Sequence, residues 1–150
     1  MTTIAYKAVE QLVIDALGEI TVDNGYFSNI TILNGWLTFY AHDLIHGLDG
    51  KTFPAVSVHY DKDSFVNQSG QSATKTTRSI KLTGAVSTTN PSDVNRLLDE
   101  LLHDVCCAIG TNRKLTIVES DYMLPNGNDP YAMFDMTVSL VVNDIWEKQK

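Results

Sequence analysis

The sequence predicts an α+β fold: a largely antiparallel β-sheet, two amphipathic helices packed on one of its faces, and a long β-hairpin at the C-terminus. Three observations predict it. Apolar residues recur at helical spacing in two segments, 4–17 and the stretch that follows Pro91. Several other segments alternate apolar and polar residues, and 132–146 does so almost without a break. A second alternating segment, 115–124, precedes it across a Pro-Asn-Gly-Asn-Asp-Pro turn, which makes the pair a hairpin.

In the first segment Ile4, Ala8, Leu12, Ala16 and Ile20 fall near one side of a helix, and Val9, Val13 and Leu17 widen the stripe. Thr2 or Thr3 can cap its start, and Gly18 with Asp23-Asn24-Gly25 closes it. Residues 26–40 are rich in aromatic and β-branched types around Asn34-Gly35, a dipeptide that favours a two-residue hairpin turn between strands 30–33 and 36–40. An alternative keeps the first strand and starts a helix near Leu37 that runs through Ile45. Residues 41–51 read as loop or a single helical turn.

Residues 53–60 form a strand with Val56, Val58 and Tyr60 on one face; Pro54 is tolerated at its start. Residues 61–77 have the composition of a long exposed loop or arm, with Phe65 and Val66 as the only sizeable apolar side chains. Period two resumes over 78–89 through Ile80, Leu82 and Val86, with Gly84 marking a bulge or a close backbone approach. Asn90-Pro91-Ser92-Asp93 then opens a helix, with Pro91 suited to its first position. Val94, Leu97, Leu98, Leu101, Leu102, Val105 and Ile109 make its apolar stripe, and Gly110 ends it.

The final strand carries a separate expectation. At about 3.3 Å per residue it would run to roughly 50 Å, whereas a compact chain of this size has a diameter of about 40 Å. Pairing with 115–124 covers at most about two-thirds of it, so the remainder is expected to extend past the core or to meet another chain.

With 150 residues, 43% hydrophobic and 19% charged, the chain is expected to form one globular domain, soluble and unexported. Cys106 and Cys107 are adjacent, so they supply neither a loop-closing disulfide nor spaced metal ligands, which fits a reducing compartment. Cys106 borders the apolar stripe of its helix and Cys107 lies off it. A net charge of −7 argues against a protein that grips phosphates, although an acidic surface suits a channel wall that DNA passes.

No catalytic constellation emerges. His42 and His46 have i, i+4 spacing, but Asp43-Leu44-Ile45 lies between them and no third metal ligand is signalled. Asp61-Lys62-Asp63 opens like a calcium loop, yet Val66 stands where such a loop needs glycine. Asp99 and His103, beside Arg96, fit a solvated helix face better than acid/base chemistry. A small hydrolase using His59 with Asp61 or Asp63 is the sharpest enzymatic alternative. The sequence therefore predicts no enzyme, no cofactor and no metal.

The order of elements resembles a known family. It comprises the N-terminal amphipathic helix, an aromatic link at Gly25-Tyr26-Phe27, the Pro-Ala-Val-Ser-Val strand, a polar excursion, a strand leading into a capped leucine-rich helix, and a closing hairpin. This pattern, over nearly the whole chain, resembles the tail terminator proteins of tailed bacteriophages, also called tail-completion or neck proteins. The resemblance implies a structural virion protein, assembled in the bacterial cytoplasm, that forms a ring, commonly six-fold. Such a ring caps the tail tube and offers its other face to the head connector, while DNA passes through without specific binding and no membrane is involved. Another neck, connector or capsid-associated subunit, or a ligand-binding domain, is the alternative. On this reading neighbour contacts fall to the 61–77 arm, through Asp61, Asp63, Phe65, Val66, Lys75 and the adjoining Arg78. The edges of the final strand share that role, around Asp135, Thr137, Ser139 and Trp146.

Overall fold

The computed structural model describes residues 4–5, 9–66, 73–123 and 130–145. It has the α+β architecture that the patterning predicts. Six strands, β1 (Ile4–Ala5), β2 (Thr31–Asn34), β3 (Ala55–Val66), β4 (Ala73–Ser87), β5 (Thr116–Met123) and β6 (Tyr131–Ile145), form one sheet. The path runs β1-β6-β4-β3-β2, with β5 also paired to β6. The β3–β4, β4–β6 and β5–β6 ladders are antiparallel, while the short β1–β6 and β2–β3 ladders are parallel.

Helices α1 (Val9–Leu17) and α3 (Val94–Gly110) cover one face. Val9, Val13 and Leu17 of α1 and Leu98, Leu101, Val105, Ala108 and Ile109 of α3 are buried there. They meet the inward residues of alternate strand positions: Val56 and Val58, Ile80 and Leu82, Phe134, Met136, Val138 and Leu140. Each such large apolar side chain contributes about 1.5–3 kcal/mol by leaving water. Gly84 is the close approach rather than a bulge. Its ladders run through without a shift, and a Cβ placed there would lie 2.3 Å from the Phe134 ring.

The link between α1 and β2 is tied to α3 by a buried carboxylate. The Phe27 amide donates to both oxygens of Asp104, at 3.3 and 3.1 Å. On the opposite face of the sheet a smaller cluster forms at one end, where Leu33, Leu37 and a short helix α2 (Ala41–His46) pack through Leu44 on Ala55, Ala85 and Tyr131.

Several sequence expectations are corrected. Ile4 and Ala5 are a strand beside β6, and the first helix is described only from Val9. The hairpin expected at Asn34-Gly35 does not form. Its favoured turn needs positive φ at both residues, and only Gly35 has it, at 109°. The Gly35 amide instead donates to the Val58 carbonyl at 2.8 Å, continuing the parallel ladder. The chain then enters a 3₁₀ turn at Leu37–Phe39 and α2, which matches the alternative.

The largest correction concerns 61–77. Residues 61–66 and 73–77 are strand, not loop, so β3 and β4 continue well past the positions read from alternation. Threonines such as Thr76 and Thr77 favour extended backbone while looking polar. This changes the reading of the last strand. β6 pairs with β4 along its whole length, from Tyr131 opposite Ser87 to Ile145 opposite Ala73. Its other edge carries β5 at 133–139 and β1 at 142–143. The long strand has an equally long partner, and the expected unpaired remainder is absent among the described residues.

Asn90 occupies the N-cap position, but its side chain makes no hydrogen bond to a backbone amide of the turn that follows. Its side-chain oxygen accepts from the Ser92 hydroxyl at 3.0 Å and its amide donates to Asp93 at 2.8 Å, while Pro91 opens a 3₁₀ turn before α3. Gly110 is the last residue of α3, and the Thr111 hydroxyl donates to the Ala108 carbonyl beyond it.

Candidate functional site

Strand alternation splits the chemistry of the sheet. Positions that point away from α1 and α3 carry Ser57, His59 and Lys62 on β3, Ser79, Lys81 and Thr83 on β4, Asp135, Thr137 and Ser139 on β6, and Glu119 and Asp121 on β5. Past the small α2 cluster no described helix covers this face. Its central positions are nonetheless shielded by their neighbours: Ser57, Ser79, Thr83 and Thr137 are buried. The Thr83 hydroxyl donates to Asp135 at 2.7 Å, one strand across.

The residues assigned to neighbour contacts from sequence fall into two groups: Asp61, Asp63, Phe65, Val66, Lys75 and Arg78 share one end of the β3–β4 ladder, and Asp135, Thr137 and Ser139 lie on β6. Asp63 and Arg78 pair with each other, Nε to Oδ1 at 2.8 Å and Nη2 to Oδ2 at 2.9 Å, and the Arg78 guanidinium lies 4.5 Å over the Tyr60 ring. These groups stabilise the β3–β4 ladder within one chain. Asp61 sits exposed at a bulge between Tyr60 and Lys62. Phe65 is 44% exposed, Lys75 is exposed, and Val66 ends β3. Asp135, Thr137 and Ser139 lie on the uncovered face, but the β6 edges expected to meet a neighbour are occupied by β4, β5 and β1. Trp146 lies outside the described residues.

Two strand edges are open among the described residues: one on β3, within the segment that the sequence assigned to neighbour contacts, and one on β5, which it did not single out. β2 covers β3 only from Ala55 to Val58, so among the described residues no strand pairs with the outer edge of 59–66. At the opposite margin β5 pairs, among the described residues, with β6 alone. Beside it a groove of about 400 Å³ opens between α3 and β5, with Leu98 and Tyr122 on its walls.

An aromatic group marks the margin near β3. Trp36, half exposed, stacks on His59 with ring centroids 4.9 Å apart and meets Phe39 edge-on at 6.1 Å. Burial lowers the His59 pKa, and Lys81 acts in the same direction, against the carboxylates of Asp135 and Asp61. His59 Nδ1 and Ser57 Oγ are shielded from solvent without a hydrogen-bond partner among the described residues. Of the two carboxylates that the hydrolase alternative gave to His59, Asp63 is bound to Arg78, and Asp61 acts on the imidazole only as a nearby charge among the described contacts.

The other sequence candidates stay apart from this region. His42 and His46 pack together at 4.5 Å on α2, and no group of three or more potential metal ligands occurs among the described residues. Cys107 and His103 approach to 3.5 Å on the exposed side of α3, where Phe27 lies edge-on to His103. Cys106 is half-buried, and burial raises its thiol pKa, followed by the effect of Cys107. Arg96 pairs with Glu100 at 3.0 Å and Asp93 at 3.6 Å, so this is a solvated charged face. The chain is an α+β sheet protein with one helical layer; no protein-family model matches it, and no curated protein does either.

Proposed function

We propose that this chain is a structural subunit of a tailed-phage virion, a tail terminator whose copies close into a ring between the tail tube and the head connector. The observation that carries the reading is the pair of open strand edges at opposite margins of one sheet, β3 over 59–66 and β5 throughout. A cyclic assembly needs two different surfaces, one for each neighbour, whereas a simple dimer needs one self-complementary surface. The family resemblance in the order of elements supplies the biological setting, and the acidic balance suits a passage for DNA.

The chain's work on this reading is association, and its side chains contribute burial and charge rather than bond chemistry. Electron microscopy of the purified chain mixed with isolated tail tubes tests it. Rings seated on tube ends are expected; tube ends that stay bare at saturating protein contradict it.

A further inference from the structure

We infer that β5 of one copy pairs, antiparallel, with the 59–66 edge of β3 in the next copy, so that the sheet continues from subunit to subunit. This deepens the ring reading and rests on it. The two edges match in length, since the open part of β3 spans residues 59–66 and β5 has 8 residues. They also match in direction. β3 and β6 run the same way, both antiparallel to β4, and β5 runs opposite to β6. Through the ladders Glu119 lies level with His59 and Tyr122 with Val56, so copies in a ring whose strands are inclined to its axis, staggered by about four residues, bring β5 against the open 59–66 edge in antiparallel fashion.

The side chains match on both faces of such a junction. On the face away from α1 and α3, β5 presents Glu119 and Asp121, and the β3–β4 margin presents Lys62 with Lys81 behind it. None of these four makes an ion pair among the described residues. On the helix side, β5 presents Tyr122, 56% exposed, and β3 presents Tyr60 and Phe65, each 44% exposed. Pairing β5 with β3 thus sets carboxylates beside lysine on one face and aromatic rings together on the other.

The same charges select against the competing dimers. Two β5 edges pairing with each other would crowd four carboxylates on one face, and like charges opposite each other across strands are destabilising. Two β3 edges would set Lys62 near Lys62. The bulges at Tyr60/Lys62 and Ile117/Glu119 twist both edges and further restrict indiscriminate pairing. Asp61, exposed at the β3 bulge, runs against the charge trend, and Asp61→Asn is expected to strengthen association.

Native mass spectrometry of the full chain and two charge-reversed forms tests the inference. One form carries Lys62→Glu; the other carries Glu119→Lys with Asp121→Lys. All three positions are exposed, so the folds should persist, which circular dichroism checks. The unaltered chain is expected to form oligomers. Each reversed form alone is expected to associate at least about tenfold more weakly, because it holds like charge on both edges. An equimolar mixture should recover oligomers containing the two forms alternately, since each then meets an opposite edge. Oligomers of unchanged strength in each reversed form overturn the edge assignment and leave the ring reading standing. An unaltered chain that stays monomeric overturns both.

Discussion

The two faces of the sheet are written by neighbouring residues of the same strands. In β6, Phe134 is fully buried against Gly84 beneath the helices, while the next residue, Asp135, accepts a hydrogen bond from Thr83 on the uncovered side. One face holds the subunit together by apolar burial, and the other, past the α2 cluster, is held by short polar side chains with no second layer among the described residues. The difference teaches that the helical layer sets stability, whereas the margins and the uncovered face are where a second chain would act.

Substitutions should divide along the same line. The largest effect is expected for Phe134→Ala, which leaves a void beneath α3 and should cost about 3–5 kcal/mol in urea unfolding. Gly84→Ala, which drives a methyl group into the Phe134 ring, should cost about 1–3 kcal/mol or more. Phe134→Leu should recover part of that loss in a double-mutant cycle, because the two positions share one space; strict additivity would show that they do not. Asp104→Ala removes the buried carboxylate that accepts from the Phe27 amide and should cost about 1–3 kcal/mol, read from the thermal midpoint.

At the margins and on the uncovered side the effects should be small for a single chain. Tyr122→Ser, at an exposed edge, should change unfolding free energy by no more than about 0.5 kcal/mol, yet weaken association. A loss like that of Phe134→Ala would place Tyr122 in the core and erase the distinction between the two regions. The smallest expected effect is the contribution of His59 to pH dependence. Its folded pKa lies below the ordinary 6.5, so the unfolded chain binds the proton more readily. Stability from this group is complete above 6.5 and falls as pH drops from there through the folded value. His59→Gln should flatten the stability profile in that window; an unchanged profile would assign the slope to other groups.

Much of the helical layer was legible in the sequence, because a buried stripe leaves a strong periodic mark. The α3 leucines, the turn before it and the C-terminal hairpin are all visible in the order of residues. Alternation likewise predicted which side of β6 is buried. The β3–β4 extension was not legible: Asp61 to Ser64 and Thr76 to Thr77 carry no apolar alternation, and Thr76 is buried despite its hydroxyl, so strand and loop look alike. The parallel pairing of β2 was hidden for a different reason, since Asn34-Gly35 favours a local turn that the Gly35–Val58 bond supersedes.

The candidate site was less legible than the fold. Asp63 and Arg78 were read as interface residues and turn out to bind each other. Tyr122, Glu119 and Lys62 were passed over, because a sequence reveals which residues share a face but not which strand lies at the margin. The separation of Lys62 and Lys81 from Glu119 and Asp121 becomes apparent only once β4 and β6 are known to lie between those margins.

The claim that copies of this chain associate through their exposed margins is tested most directly by light scattering coupled to size exclusion, over a wide concentration range. A mass that rises with concentration towards a discrete multiple of 16.6 kDa is expected. A single species of monomer mass at every concentration would contradict it.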